Sequence, residues 1–126
     1  MSLNILAVDD SRTIRDMLKY ALTQAGISTS LAEDGMHGLE VLGGISPDAI
    51  ITDINMPRLD GFGFIEAVRQ QPLHRATPIL VLTTESAPEL KARARAAGAT
   101  GWIVKPFVPE KLVHALHMVA GTGDGQ

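Results

Sequence analysis

Four short apolar runs in this chain each end in side chains able to do polar chemistry. Ile5-Leu-Ala-Val8 runs into Asp9, Asp10 and Ser11, and Ala49-Ile-Ile51 leads to Asp53 and Asn55. Ile79-Leu-Val-Leu82 ends in Thr83 and Thr84, and Gly101-Trp-Ile-Val104 is followed by Lys105 and Pro106. If these ends meet, three carboxylates, a hydroxyl and an ammonium share one place. Two carboxylates about 4 Å apart repel by roughly 4 kcal/mol at an effective dielectric near 20, so such a cluster calls for a cation or a proton. Oxygen donors without any Cys favour a hard ion, and Mg²⁺ suits a few carboxylates completed by waters and a phosphate. The alternating ligands and closing Glu of a Ca²⁺ loop are missing from both Asp9-Asp10-Ser11 and Asp53-Ile-Asn55. Carboxylates with Mg²⁺, a hydroxyl and a Lys are what phosphoryl binding and transfer require, and an Asp can itself be the nucleophile.

The elements that would bring these residues together are legible in the hydrophobic pattern. Short apolar runs alternate with segments of helical period, which predicts a parallel sheet covered by helices on both faces. The four runs above read as strands buried on both sides, and the more alternating Ile27–Ala32 reads as an edge strand. Ile14, Met17, Leu18, Ala21, Leu22 and Ala25 follow the three-and-four spacing of an amphipathic helix that Gly26 ends. Segments 35–43, 62–70, 87–97 and 109–120 are the other helices, with Pro109 in a first turn. The fourth offers mostly Ala to the core and should pack lightly, either as a mobile element or as a plain surface helix. Right-handed crossovers then leave few topologies, of which a doubly wound, flavodoxin-like (βα)5 α/β fold with strand order 2-1-3-4-5 is the natural choice. Ligands of such sheets bind beyond the carboxyl ends of the strands where the order reverses, between the first and third strands, where Asp9, Asp10 and Asp53 fall.

Bland readings stand beside these. Asp10 and Ser11 could simply cap the first helix. A Thr closing a strand is often only a β-former, and a Lys before Pro is often a solvated turn. Asp60-Gly61-Phe-Gly63 lacks the third Gly of a dinucleotide fingerprint, and no phosphate-binding G-x-x-x-x-G-K-[ST] occurs. His114 and His117 stand three apart on a helix without a carboxylate or Cys to complete a metal site. The Met and Phe residues read as core, with Met56 and Met118 as partial exceptions, and Arg69, His74 and Arg75 read as a solvated positive face.

Composition narrows the class. The 126 residues are 45% hydrophobic and 20% charged, the make-up of one folded domain, and a chain of this size can bury about two thirds of its unfolded surface. There is no Cys, which removes thiol catalysis, thiolate zinc sites and disulfides and fits a reducing compartment. A net charge of −3 gives no footprint for nucleic acid or anionic lipid. Neither a signal peptide nor a membrane span is expected, so the protein is expected to be cytoplasmic and monomeric.

The motifs Val8-Asp9-Asp10-Ser11, Glu33-Asp34-Gly35, Asp48-Ala-Ile-Ile-Thr-Asp53-Ile-Asn-Met56-Pro57, Asp60-Gly61, Thr83, Gly98-Ala99 and Lys105-Pro106-Phe107 resemble the receiver domains of two-component response regulators. They cover residues 4 to 120 in family order, so a receiver domain is expected over 1–120 and a flexible tail over 121–126. The resemblance implies that Asp53 accepts a phosphoryl group from a phosphohistidine of a sensor histidine kinase. It implies that Asp10, Asp53 and the backbone carbonyl of Asn55 hold Mg²⁺, with Asp9 acting through the second shell or a water. Lys105 would pair with a phosphate oxygen, Thr83 would move to bond another, and Trp102 would change rotamer with it, reshaping the face of the last two helices and strand. The Lys105–Pro106 peptide would be cis. Such a chain is a binding switch rather than an enzyme, assisting its own phosphorylation and dephosphorylation.

Within the family the chain is similar to the single-domain, CheY-like chemotaxis regulators that act on the flagellar motor switch, and Asn55 and Glu85 are the residue types found there. Thr84 departs from the usual small residue and Trp102 from the usual Tyr or Phe, which bears on rates and switching. A phosphate sink or relay without motor binding is the alternative. A Mg²⁺-dependent phosphohydrolase of the haloacid dehalogenase type is a further one, although its Asp-x-Asp pattern and cap insertion are not matched by the adjacent Asp9 and Asp10.

Overall fold

A computed structural model describes residues 3–121. Chain order is β1 (Asn4–Val8), α1 (Arg12–Gln24), β2 (Ser28–Ala32), α2 (Gly35–Leu42), β3 (Ala49–Thr52), α3 (Gly61–Gln70), a 3-10 turn (Pro72–His74), β4 (Ile79–Thr83), α4 (Pro88–Ala97), β5 (Gly101–Val104) and α5 (Pro109–Gly121). All five strands are parallel and lie in the order β2-β1-β3-β4-β5, the doubly wound order the sequence implies. Because the order reverses at β1, right-handed βαβ crossovers place helices on both faces of the sheet.

Because side chains alternate along a strand, each strand feeds two cores. Leu6, Val8, Ile50, Ile79 and Val81 pack under α2, α3 and α4 with Leu42, Phe64, Ile65, Val68 and Ala94. Ile5, Ala7, Ala49, Ile51, Leu80 and Leu82 pack under α1 and α5 with Leu18, Leu22, Leu112 and Leu116. Each fully buried Leu, Ile or Phe contributes about 1.5–3 kcal/mol, so the central strands are the stable floor on which the site rests.

The helix ends carry local signals. Ser11 Oγ accepts the Ile14 N–H and caps α1, Asp34 accepts the His37 N–H and caps α2, and Asp60 accepts the Gly63 N–H and caps α3. Ala25 ends α1, and Gly26 follows in the left-handed region at φ 77. The helix α4 buries only Ala94 outright, which agrees with the light packing read from its sequence.

Several expectations need correction. The edge strand β5 is half-exposed rather than buried on both faces, because among the described residues no sixth strand covers it. Ile27 precedes β2, although its side chain is buried. Met17 and Met36 are exposed, whereas Met56 is buried. Met17 fits the apolar spacing of α1 but lies at the margin of its stripe. Arg69 and His74 do not form a solvated face: His74 is buried, and the Arg69 guanidinium bonds the Gly98 and His74 carbonyls. The expected tail at 121–126 lies, apart from Gly121 at the end of α5, outside the described residues.

Candidate functional site

The parallel register ends β1, β3 and β4 at one edge, pairing Val8 with Thr52, Thr52 with Val81, and Thr83 with Val104. Asp9 and Asp10 therefore emerge beside Asp53, with Thr83 and Lys105 across from them. Carboxylate oxygens of Asp9, Asp10 and Asp53 lie within 4.8 Å of one another. Asp9 and Asp53 are buried and Asp10 is exposed. Five residues from four separate stretches of the chain are thus brought to one edge of the sheet.

Hydrogen bonding distinguishes the three acids. Asp9 accepts the Ser11 N–H at 2.9 Å on one oxygen and the Lys105 ammonium at 2.8 Å on the other. Asp53 accepts the Ile54 N–H at 2.6 Å and Lys105 at 2.9 Å. Asp10 keeps its carboxylate facing solvent; Ser11 rather than Asp10 caps α1. Lys105 is thus the bridge between two buried acids. Burial pushes the Asp9 carboxyl above its usual range, against the lowering effect of the hydrogen bonds from Lys105 and Ser11. Burial alone would lower Lys105, yet its hydrogen bonds to Asp9 and Asp53 prevail and hold the ammonium above its ordinary value.

The donor set fits a hard divalent cation. Three carboxylates face one ammonium, so two negative charges remain uncompensated, which is the charge of one such ion, and every available donor is oxygen. Asp10 is the carboxylate freest to bind it, while both Asp9 oxygens are already engaged.

The opposite wall links the hydroxyl to the tryptophan. Thr83 is fully buried, and its Oγ1 accepts the Glu85 N–H at a long 3.4 Å. The Glu85 carbonyl accepts the Trp102 Nε1–H at 3.0 Å, and its carboxylate accepts the Asn55 amide at 3.0 Å. Trp102 packs partly on the core beneath α2–α4. Thr84 is exposed at the turn, and the Lys105–Pro106 peptide is cis.

Sequence reasoning missed the bracing around this cleft. Asp34, quoted only within a motif, is paired with Arg58 at 2.8 and 3.0 Å. Nothing local signals a partner 24 residues away. At the opposite edge of the sheet, where β5 begins, Arg69 closes the carboxyl end of α4.

A doubly wound domain with an acidic, lysine-bridged cleft at its switch point is the class that fold and site define together. Residues 5–117 match the response regulator receiver domain, and the chain belongs to that family, a phosphoacceptor signalling module of two-component systems. It is 37% identical over 120 residues to a probable chemotaxis protein CheY of Rhizobium etli, covering 94% of this chain and 93% of that protein. It is 40% identical over 117 residues to the response regulator MprA of Mycobacterium tuberculosis, but there it spans 48% of the relative's length. Among solved structures, the chemotaxis protein CheY4 of Vibrio cholerae superposes with a TM-score of 0.91 at 47% identity, covering 94% of this chain and 99% of that one. The receiver domain of the sensor histidine kinase PA1611 from Pseudomonas aeruginosa, solved with a magnesium ion in its active-site cleft, gives 0.89 at 26% identity over 96% of this chain and 99% of that one. The chain is therefore a CheY-like receiver of two-component signalling, a family whose partners are histidine kinases. Among the described residues no helix is long and apolar enough to cross a membrane.

Proposed function

We propose that this protein is a phosphorylation-controlled chemotaxis switch in the cytoplasm, with Asp53 as phosphoacceptor. The geometry at Asp53 carries this reading: a buried carboxylate at the switch point, bonded by a backbone N–H and by Lys105 and flanked by two further acids. An Asp53 oxygen attacks the phosphorus of a kinase phosphohistidine; the new O–P bond replaces the N–P bond, whose electron pair returns to the imidazole. Asp10, Asp53 and the Asn55 carbonyl would hold Mg²⁺, with Asp9 acting through the second shell or a water. The ion, when bound, offsets charge on the phosphoryl oxygens. Lys105 exchanges its contact with Asp53 for a phosphoryl oxygen, in keeping with its position between two carboxylates.

Thr83 then turns its hydroxyl to another phosphoryl oxygen. The bond it gives up is the long one from Glu85, so little opposes the movement. Glu85 is also the residue that Trp102 grips, which couples the hydroxyl to the indole and to the face of α4, β5 and α5. About two added negative charges bias this linked element between two states.

Acetyl phosphate with Mg²⁺ is expected to add one phosphoryl mass, labile to hydroxylamine and lost in Asp53→Asn. A robust adduct on another residue of the intact protein would overturn the assignment. The preferred output is the flagellar motor switch, favoured by the CheY names and near-complete coverage of those relatives. Pull-downs with motor-switch and kinase fragments separate this from a phosphate sink: phosphorylation-dependent capture of the motor fragment supports output, whereas affinity unchanged for every partner refutes a switch.

A further inference from the structure

The loop joining β3 to α3 contains Arg58, the single non-glycine residue in the left-handed region among those described, at φ 65. A Gly would sit there without strain, and the chain places Gly at 61 and 63 close by. Keeping an Arg at a strained position makes sense where its side chain has work to do. That side chain reaches Asp34 with two bonds, Nε to Oδ2 at 2.8 Å and Nη2 to Oδ1 at 3.0 Å. Asp34 is itself buried and fixed, because it also caps α2 through the His37 N–H.

The same loop carries Asn55, three residues before Arg58. Its far side is fastened to α3, where the Gly61 N–H bonds the Ile54 carbonyl at 2.8 Å. Its near side is fastened to α2 by the Gly35 N–H on the Leu59 carbonyl at 3.1 Å and by the Arg58–Asp34 fork. A Cβ on Gly61 would strike the Asp53 carbonyl, and one on Gly35 would strike the Leu59 carbonyl, so the loop is pressed between two helix starts. Asn55 itself is exposed, and among the described residues only its side-chain bond to Glu85 steadies it. The fork is the one side-chain tether in this loop that runs to α2 among the described residues.

We infer that the Arg58–Asp34 fork is a positioning device that fixes the β3–α3 loop so that the Asn55 carbonyl completes the divalent-cation site, an inference that rests on the reading of that site given above. Neither side chain touches the cation; both act through the loop backbone. The sign of the effect separates this role from electrostatics. Removing a positive charge near a cation site strengthens cation binding through space. Removing a positioning side chain weakens it.

The test is calorimetric titration of the intact protein with Mg²⁺ alone, with no phosphodonor, for wild type, Arg58→Gly and Asp34→Asn. Arg58→Gly keeps the left-handed backbone without strain and deletes the fork, and Asp34→Asn keeps a good helix cap and deletes the charge. Both are expected to weaken Mg²⁺ about 10-fold, the low end of losses seen when outer partners of a metal site are removed. Saturating Mg²⁺ should then restore the wild-type plateau rate of phosphorylation by acetyl phosphate. Unchanged or tighter Mg²⁺ binding in Arg58→Gly overturns the inference, even if its metal-free melting temperature falls. Absence of Mg²⁺ binding by the wild type would instead sink the reading of the acidic cluster.

Discussion

Replacing Lys105 with Met removes the ammonium that bridges Asp9 and Asp53 while keeping most of the aliphatic stem. Both acids are buried, and Lys105 approaches them at 2.8 and 2.9 Å. Without it, carboxylate oxygens within 4.8 Å of one another have no counterion when metal is absent. One pair of unit charges at that separation repels by about 3.5 kcal/mol at an effective dielectric near 20. Stripping one partner from a buried ion pair costs about 3–5 kcal/mol, and the exposure of Asp10 lets water relieve part of this. A loss of about 3 kcal/mol is therefore expected in metal-free protein near neutral pH, roughly 10 °C in melting temperature for a domain of this size. Two further features are required. Added Mg²⁺ should stabilise the variant more than the wild type, because the ion replaces the missing charge. Acidification should shrink the deficit: burial already raises Asp9, removing Lys105 raises it further, and a carboxyl raised on folding is relieved of its charge penalty as pH falls. Urea unfolding followed by circular dichroism, with and without Mg²⁺ and across the acid range, reads all three. A variant as stable as wild type without metal, or one that gains no more from Mg²⁺, would refute the electrostatic account of the cleft.

Arg69→Ala deletes the guanidinium that bonds the Gly98 carbonyl twice and the His74 carbonyl once, and charge-assisted bonds of this kind contribute about 1.5–3 kcal/mol where they are sheltered. Amide exchange should quicken in α4 before it does in β1 or β3; uniform acceleration across the domain would count against a local clamp. The Arg58 fork, followed by the His37 N–H, holds the Asp34 carboxyl below the usual range. A carboxyl lowered on folding contributes stability above its unfolded pKa and loses it as pH drops through the folded value. The part of the stability difference between wild type and Arg58→Gly that comes from the ion pair should accordingly be full at neutral pH and be lost in strong acid, and a difference independent of pH would exclude the pair as a source.

Much of this protein was legible without coordinates because the decisive signals are local. Ile5-Leu-Ala-Val8, Ala49-Ile-Ile51 and Ile79-Leu-Val-Leu82 are too short and too apolar to be anything but strands buried on both faces, and the segments between them repeat at helical spacing. Once strand and helix alternate, handedness leaves few sheet orders, and in any all-parallel one the strand ends that carry Asp9, Asp10, Asp53 and Thr83 share an edge.

Only the tertiary structure decided what those side chains touch. Charged residues default to solvent, so nothing in the string separates Arg58 and Arg69, which brace the cleft and α4, from Arg75, which is exposed. The position of Lys105 after β5 puts it at the acidic edge, but that its ammonium bridges Asp9 and Asp53, 96 and 52 residues away, comes only from the structure. Met17 fits the apolar stripe of α1 yet stands in water, and β5 reads as core yet forms an open edge. Periodicity records which face of an element turns inward, but pairing of polar groups depends on distances between elements that are remote in the chain, and those are set only when the two cores close on either side of the sheet.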